Sequence, residues 1–342
     1  MSNRSRSKPV EIGRVTVLPG ERAVIDLPVA KLYTHTSLSM PVQVVNGRYE
    51  GARLFVSAAV HGDELNGVEV IRRLLKLKGL RRMRGSLIAV PIVNVHGFLD
   101  QSRYLPDRRD LNRSFPGSAK GSIAARLAHT FVTEIVAESD FGIDLHTGAV
   151  HRANLPQIRA NLGDRRTLEL AKAFDVPVII NANVRDGSLR QYAAENGIPT
   201  LLYEGGEALR FDDASIRVGL RGVLRVMHEL GMLPHRKSPV RTMQPLIAKA
   251  TRWLRAPASG IVRIKARLGD SVVAGQTVAI VSDPFGDVES QLKAGFAGIV
   301  IGQTKLPLVH EGDALINLAA FEDIAQAEDN VEELQTLAGV SR

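Results

Sequence analysis

Cysteine is absent from this chain of 342 residues. That absence removes disulfide frameworks, thiol nucleophiles, iron–sulfur clusters and Cys-ligated zinc from its chemistry. Any metal must be held by His, Asp or Glu, with nine histidines as the nitrogen pool. Long hydrophobic runs are also missing: no window approaches about 18 continuous apolar residues, so no membrane span is expected. Aromatics make up only 5%, and they are not interleaved with the basic groups in the way that stacks bases. The balance of 44 Lys and Arg against 36 Asp and Glu, formally +8, is modest over this length. Its densest stretch, 72–84, alternates with Leu at helical spacing and reads as a solvated helix face, so no nucleic-acid partner is expected. Residues 1–10 carry Arg4, Arg6 and Lys8 with no apolar run behind them. They read as a disordered tail rather than a secretory signal, and the expected compartment is the cytoplasm.

The length exceeds the roughly 250–300 residues that one hydrophobic core serves, so two domains are expected. Apolar and β-branched runs predict strands near 14–18, 42–45, 54–60, 86–93, 141–145, 176–180 and 200–204. Helical spacing predicts helices near 66–78, 123–138, 165–174, 189–196 and 216–230. This alternation predicts an α/β domain over residues 11–239, a mixed sheet with helices on both faces. After Pro239, short Val/Ile segments separated by Gly-Asp and Gly-Gln turns predict a small all-β barrel-sandwich domain at 240–325, followed by a C-terminal tail at 326–342. Segments 256–262 and 294–300 echo one another, as two similar half-sheets would. The pattern is similar to biotinyl and lipoyl carrier domains, but segment 282–288 has no lysine at its tip, so a carrier role is not the expectation.

The chemistry concentrates at strand exits. The strand ending at Val60 runs into His61-Gly62-Asp63-Glu64. An imidazole and a carboxylate three positions apart can converge on one cation at the carboxyl end of a sheet, where ligand crevices form. The strand ending at Leu145 exits through His146. His61, Glu64 and His146 make a set of two nitrogens and one carboxylate that leaves a position for water, the catalytic zinc pattern, at one ion per chain. Glu204 closes a strongly apolar strand, where a charge is costly unless it faces a polar crevice. It reads as the base for that water, with Glu207 as the competing acid. His96 sits at another strand exit and is a rival ligand, and His151 follows the metal strand and is placed to line the pocket. Asp144 points the same way as His146 along its strand and reads as a group that orients a ligand. The long loop 94–121 supplies Arg103, Arg108, Arg109, Asn112 and Arg113, groups suited to gripping a carboxylate or an oxyanion. His35, His129, His228, His235 and His310 read as surface or helix-face residues.

In their order, H-G-D-E, the R-Y…D-L-N-R-S-F-P-G loop, D-L-H-T-G and Y-E-G-G resemble the succinylglutamate desuccinylase/aspartoacylase family, a branch of the zinc carboxypeptidase-like fold. The likeness extends into the C-terminal β region, where Asp283–Gly286 matches a D-x-F-G element of the family's bacterial deacylase-like members. The resemblance implies zinc on His61, Glu64 and His146, a general base at Glu204, and the substrate's α-carboxylate on Asn112 and Arg113. It implies an oxyanion-stabilising arginine at Arg103, with Arg108 and Arg109 as alternatives because this loop is longer than the family's. The implied activity is hydrolysis of the amide bond of a small N-acyl amino acid. A zinc carboxypeptidase acting on short peptides, and a non-catalytic carrier or binding protein using the β domain, are the alternative readings. A homo-oligomer is compatible with all three.

Overall fold

The computed structural model describes residues 5–182, 185–234 and 245–338. Three parallel neighbours form the centre of its main sheet: Tyr49–Ala58 beside Phe141–Gly148, and Phe141–Gly148 beside Thr200–Glu207. Arg84–Val90 joins parallel on one side, and Arg152–Ala160 joins antiparallel on the other. The central strands are nearly continuous apolar runs because both their faces are covered; Leu54, Phe55, Val56, Ile143 and Leu201 have no exposed surface. Helices Asn66–Leu75, Arg165–Phe174 and Asp213–Glu229 pack on one face around Val70, Ile71, Phe174 and Val223. Helix Ile123–Phe131, its wide last turn Val132–Val136 and the N-terminal strands cover the other around Phe55, Ile88 and Phe131. Four helices begin where Ser122, Asp164, Ser188 or Asp212 accepts from the N–H three residues on, the side-chain cap that satisfies an orphan donor. This is the mixed α/β architecture expected from the alternation of strands and helices.

The C-terminal region continues the same sheet. Gly298–Thr304 pairs with Arg152–Ala160 on one side and with Ala314–Ala320 on the other, and Ala250–Arg255 lies beyond. A second sheet of Glu289–Lys293, Thr277–Ser282, Gly260–Ile264 and Leu308–Val309 closes over it, around Val262, Val278, Val281, Val300, Leu315 and Ile316. The two echoed segments lead into Gly260–Ile264 and Gly298–Thr304, one in each sheet.

Three expectations change. The tail at 1–10 is ordered from its first described residues: Arg6 bridges Tyr49, Ser7 is buried, and Val10 starts the strand Val10–Ile12 with no exposed surface. Two apolar side chains two positions apart give that segment a face to bury. The tail at 326–342 is, over its described part, the helix Ile324–Ala338, which sets Ala327, Val331 and Leu334 into the main core. Two further strands escaped the sequence reading, Arg22–Lys31 and Arg152–Ala160. The division at 239/240 and His235 lie outside the described residues. No helix among the described residues is long and apolar enough to cross a membrane.

Candidate active site

The sheet register assembles the site. Phe141–Gly148 pairs with Thr200–Glu207 so that His146 lies beside Glu204, and with Tyr49–Ala58 so that Asp144 lies beside Ser57. Register partners share a face, and so do residues two apart on one strand. Asp144, His146 and Glu204 therefore emerge together at the carboxyl ends of the parallel strands. The H-G-D-E turn is pressed against the short helix Val95–Leu99. A Cβ on Gly62 would lie 1.9 Å from the carbonyl carbon of Gly97, so only glycine allows the approach. Gly206, at φ +79, leaves room for Asn66, whose amide donates to the Gly205 carbonyl at 3.1 Å. That bond ties the strand end carrying Glu204 to the helix that follows Glu64.

Glu64 is the hub. Its Oε1 faces His61 Nδ1 and its Oε2 faces His146 Nδ1, each at 2.8 Å, and the Thr147 amide donates to Oε2 at 3.0 Å. The far nitrogens are held by carboxylates: His61 Nε2 by Asp110 at 3.1 Å and His146 Nε2 by Asp144 at 2.7 Å. Asp144 also accepts from Ser57 Oγ at 2.8 Å. All three ligand candidates are buried, and one donor atom from each lies within 4.8 Å of the others. This group could hold a metal ion. Two imidazole nitrogens and a carboxylate suit zinc, and the backing carboxylates are the partners that orient metal-binding imidazoles.

The electrostatics follow from burial and pairing. Burial alone would raise the Glu64 carboxyl, but the adjacent His61 and His146 charges and hydrogen bonds hold it well below its ordinary value. Burial would lower His146, yet Asp144 and Glu64 raise it well above 6.5, and His61 is raised in the same way by Glu64 and Asp110. Asp110 is pulled down, against its burial, by His61 and Arg103.

His61, Glu64, Asp144 and His146 line a cavity of about 390 Å³ that also takes in Arg103, Asn112, Arg113, Thr147, Asn154, Arg159 and Glu204. Arg103 bridges Glu64 and Asp110 at 3.3 and 3.0 Å. Arg108 and Arg109, its sequence alternatives, are exposed and outside the cavity lining. Asn112 is buried, and its Oδ1 accepts from the Leu189 amide at 3.0 Å. Arg113 donates to the Asn112 carbonyl and lines the wall. Glu204 Oε2 accepts from Asn154, Arg159 and Gln157 at 2.8, 3.0 and 3.3 Å. Glu207, His96 and His151 are not among the lining residues. Glu207 lies 3.8 Å from Arg210, and burial lowers His96.

The cavity also draws on residues the sequence reading left out: Arg152, Asn154 and Arg159 from the unexpected strand, Arg185 from the approach to helix Leu189–Glu195 and Arg190 from its first turn, and Thr251 and Trp253 from the C-terminal region. The Arg152 guanidinium lies 5.2 Å from the centre of the Trp253 ring. The available signal was polar residues recurring at Arg152, Asn154, Gln157 and Arg159 within an otherwise apolar segment.

Fold and site thus define a mixed-sheet α/β protein with a candidate metal centre at the carboxyl edge of its parallel strands. Residues 50–230, more than half the chain, match the model of the succinylglutamate desuccinylase/aspartoacylase catalytic domain, and the chain belongs to that family. It is 28% identical over 298 residues to the N-alpha-acetyl-L-2,4-diaminobutyric acid deacetylase of Halomonas elongata, covering 83% of this chain and 86% of that one. The product-bound ectoine utilization protein EutE of Ruegeria pomeroyi superposes with a TM-score of 0.80 at 24% identity, covering 92% of this chain and 98% of that one. A succinylglutamate desuccinylase/aspartoacylase structure from Rhodobacter sphaeroides gives 0.78 at 24% identity, covering 88% and 96%. At those identities the two structures establish the fold.

Proposed function

We propose that the protein is a zinc-dependent deacylase that hydrolyses the amide bond of a small N-acyl amino acid. The observation that carries this reading is that one cavity of about 390 Å³ holds the His61–Glu64–His146 donors, Glu204, and the Arg103, Asn112 and Arg113 group together. The printed activity of the Halomonas elongata relative, an N-acetyl amino acid deacetylase, supports the reaction class. The metal is one zinc per chain on His61, Glu64 and His146; when bound, it supplies the Lewis acidity that activates water and polarises an amide carbonyl. Glu204 accepts the proton of the attacking water and returns it to the leaving amine. Arg103 donates to the developing oxyanion. Asn112 and Arg113 hold the α-carboxylate and so fix where the scissile carbonyl lies. Asp144 and Asp110 hold the outer nitrogens of the two ligand imidazoles, which keeps the inner ones aimed at the ion.

Thr251 and Trp253 close part of the cavity wall, which favours a small substrate over an extended peptide. The test is metal analysis of the purified protein together with an amine-release screen over N-acetyl and N-succinyl amino acids, with tripeptides in parallel. Release of free amino acid from N-acyl substrates alone, with near-stoichiometric zinc, is the expected result. Turnover of tripeptides alone would replace this reading with a carboxypeptidase, and a metal-free, inactive protein would end it.

A further inference from the structure

Glu204 is held in an asymmetric way. Asn154 Nδ2, Arg159 Nε and Gln157 Nε2 all donate to Oε2, at 2.8, 3.0 and 3.3 Å, and no described residue donates to Oε1. A carboxylate oxygen offers about two acceptor sites, so Oε2 is saturated while Oε1 remains open to accept a proton. A glutamate saturated at both oxygens could not take a proton without breaking a bond, and one tied at neither would wander among rotamers. All three donors come from Arg152–Ala160. Gln157 is fully buried and its Oε1 has no partner among the described residues, so of these Glu204 alone orients its amide.

The same strand carries the clamp's support. Asn154 lies opposite Gly302 of the C-terminal strand Gly298–Thr304. A Cβ at Gly302 would meet Asn154 Oδ1 at 3.0 Å, and Asn317 Cβ and the Trp253 ring at 3.3 Å each. The Asn154 amide is thus wedged between Glu204 on one side and the bare backbone of Gly302 on the other. Even one methyl at Gly302 must push it by a few tenths of an ångström.

We infer that Asn154, Gln157 and Arg159 are positioning residues that fix the catalytic base through Oε2 and leave Oε1 as its working oxygen, with Gly302 as the buttress that keeps Asn154 in reach. The C-terminal β region is then part of the catalytic device rather than an appendage. This rests on the reading of Glu204 as the general base.

The experiment is a double-mutant cycle between Gly302→Ala and Asn154→Ala in the zinc-loaded protein, assayed with the N-acetyl amino acid that the screen finds turned over. A misplacement of 1 Å costs on the order of 100-fold in rate, so a shift of a few tenths should cost about fivefold. Gly302→Ala is expected to lower kcat about fivefold at unchanged KM and zinc content, and Asn154→Ala about tenfold. Because both act through one contact, the double variant should be no slower than Asn154→Ala. Losses that multiply to about 50-fold overturn the buttress. Arg159→Lys should keep most of the rate that Arg159→Met loses; equal losses overturn its part in the clamp. A readout without turnover is the infrared carboxylate stretch of Glu204 in the metal-free protein, isolated by subtracting the Glu204→Gln spectrum. It should shift in Gly302→Ala and in Asn154→Ala, and an unchanged band overturns the inference. Asn154→Ser replaces Asn154→Ala if the latter does not fold. Full activity in zinc-loaded Glu204→Gln would instead overturn the base assignment, whatever the cycle gives.

Discussion

Replacing Asp144 by Asn changes one charge at constant shape, behind a ligand rather than in the set itself. Asp144 has no exposed surface, lies 2.7 Å from His146 Nε2 and accepts from Ser57 at 2.8 Å. The amide oxygen of Asn can still accept from Nε2–H and Ser57 can still bond the other end, so the fold should survive. What is lost is the negative charge that makes the imidazole a stronger donor to the metal. Loss of such a backing group typically weakens metal affinity by about 10- to 100-fold, or about 1.4 to 2.8 kcal/mol. With the bond geometry preserved, Asp144→Asn belongs at the lower end and Asp144→Ala at the upper. Competition between the protein and a chelator of known zinc affinity measures this directly. Asp110→Asn should weaken binding less, because its bond to His61 is longer, at 3.1 Å, and its side chain is 16% exposed. An Asp144→Asn protein that matched the parent's zinc affinity would refute the claim that the carboxylate tunes His146.

His61→Ala and His146→Ala should each abolish metal retention while His96→Ala retains it, read by metal content after dialysis; stoichiometric zinc in His146→Ala would remove that ligand from the set. Both ligand histidines are raised above 6.5 in the metal-free protein, so their protonated forms persist as pH rises and must yield their protons to a metal. Zinc affinity should therefore increase from pH 5 to pH 8 with proton release on binding, and a flat profile by calorimetry would contradict this. Glu69 is lowered to about 2 by hydrogen bonds from Arg72 and Arg73, which outweigh its burial. A depressed carboxyl contributes stability that is complete above its ordinary value and lost as pH falls toward about 2. Because Arg72 is half-exposed and the pair is screened, Glu69→Gln should cost about 1 kcal/mol at pH 7, with the difference from the parent closing in acid unfolding series. Gly62→Ala should fail to fold or lose metal binding altogether, since its Cβ has no place beside Gly97; a metal-replete Gly62→Ala protein would count against the packing argument.

The grouping of His61, Glu64 and His146 was legible because His146 lies near the end of one apolar strand and His61 and Glu64 sit in the turn that follows another, where polar residues gather at the sheet's carboxyl edge. The arginine was narrowed to three by sequence, and only geometry separates Arg103, on the cavity wall, from Arg108 and Arg109 in solvent. The strand Arg152–Ala160 was hidden by its composition. Arg152, Asn154 and Arg159 line the cavity and break the alternation that marks a strand, and Pro156 argues against a ladder. Pro156 is tolerated because it sits in a fork. Residues 152–154 pair with Gly298–Thr304, residues 157–160 pair with Val178–Asn181, and the ladder to Thr200–Glu207 skips it. The tails were misread for another reason. Composition marks them polar, but Val10, Ile12, Val331 and Leu334 find a core only once the sheet exists.

That shared sheet governs how the chain could be divided. A covalent break anywhere between residues 234 and 245 would leave Gly298–Thr304 laddered to Arg152–Ala160 and the final helix seated in the main core. The two pieces would co-purify as one particle. Expressed apart, the N-terminal piece would present an open strand edge and a bare apolar groove where Ala327, Val331 and Leu334 belong, the conditions under which sheets recruit neighbours and aggregate. The polypeptide is therefore suited to fragment complementation and unsuited to domain shuffling.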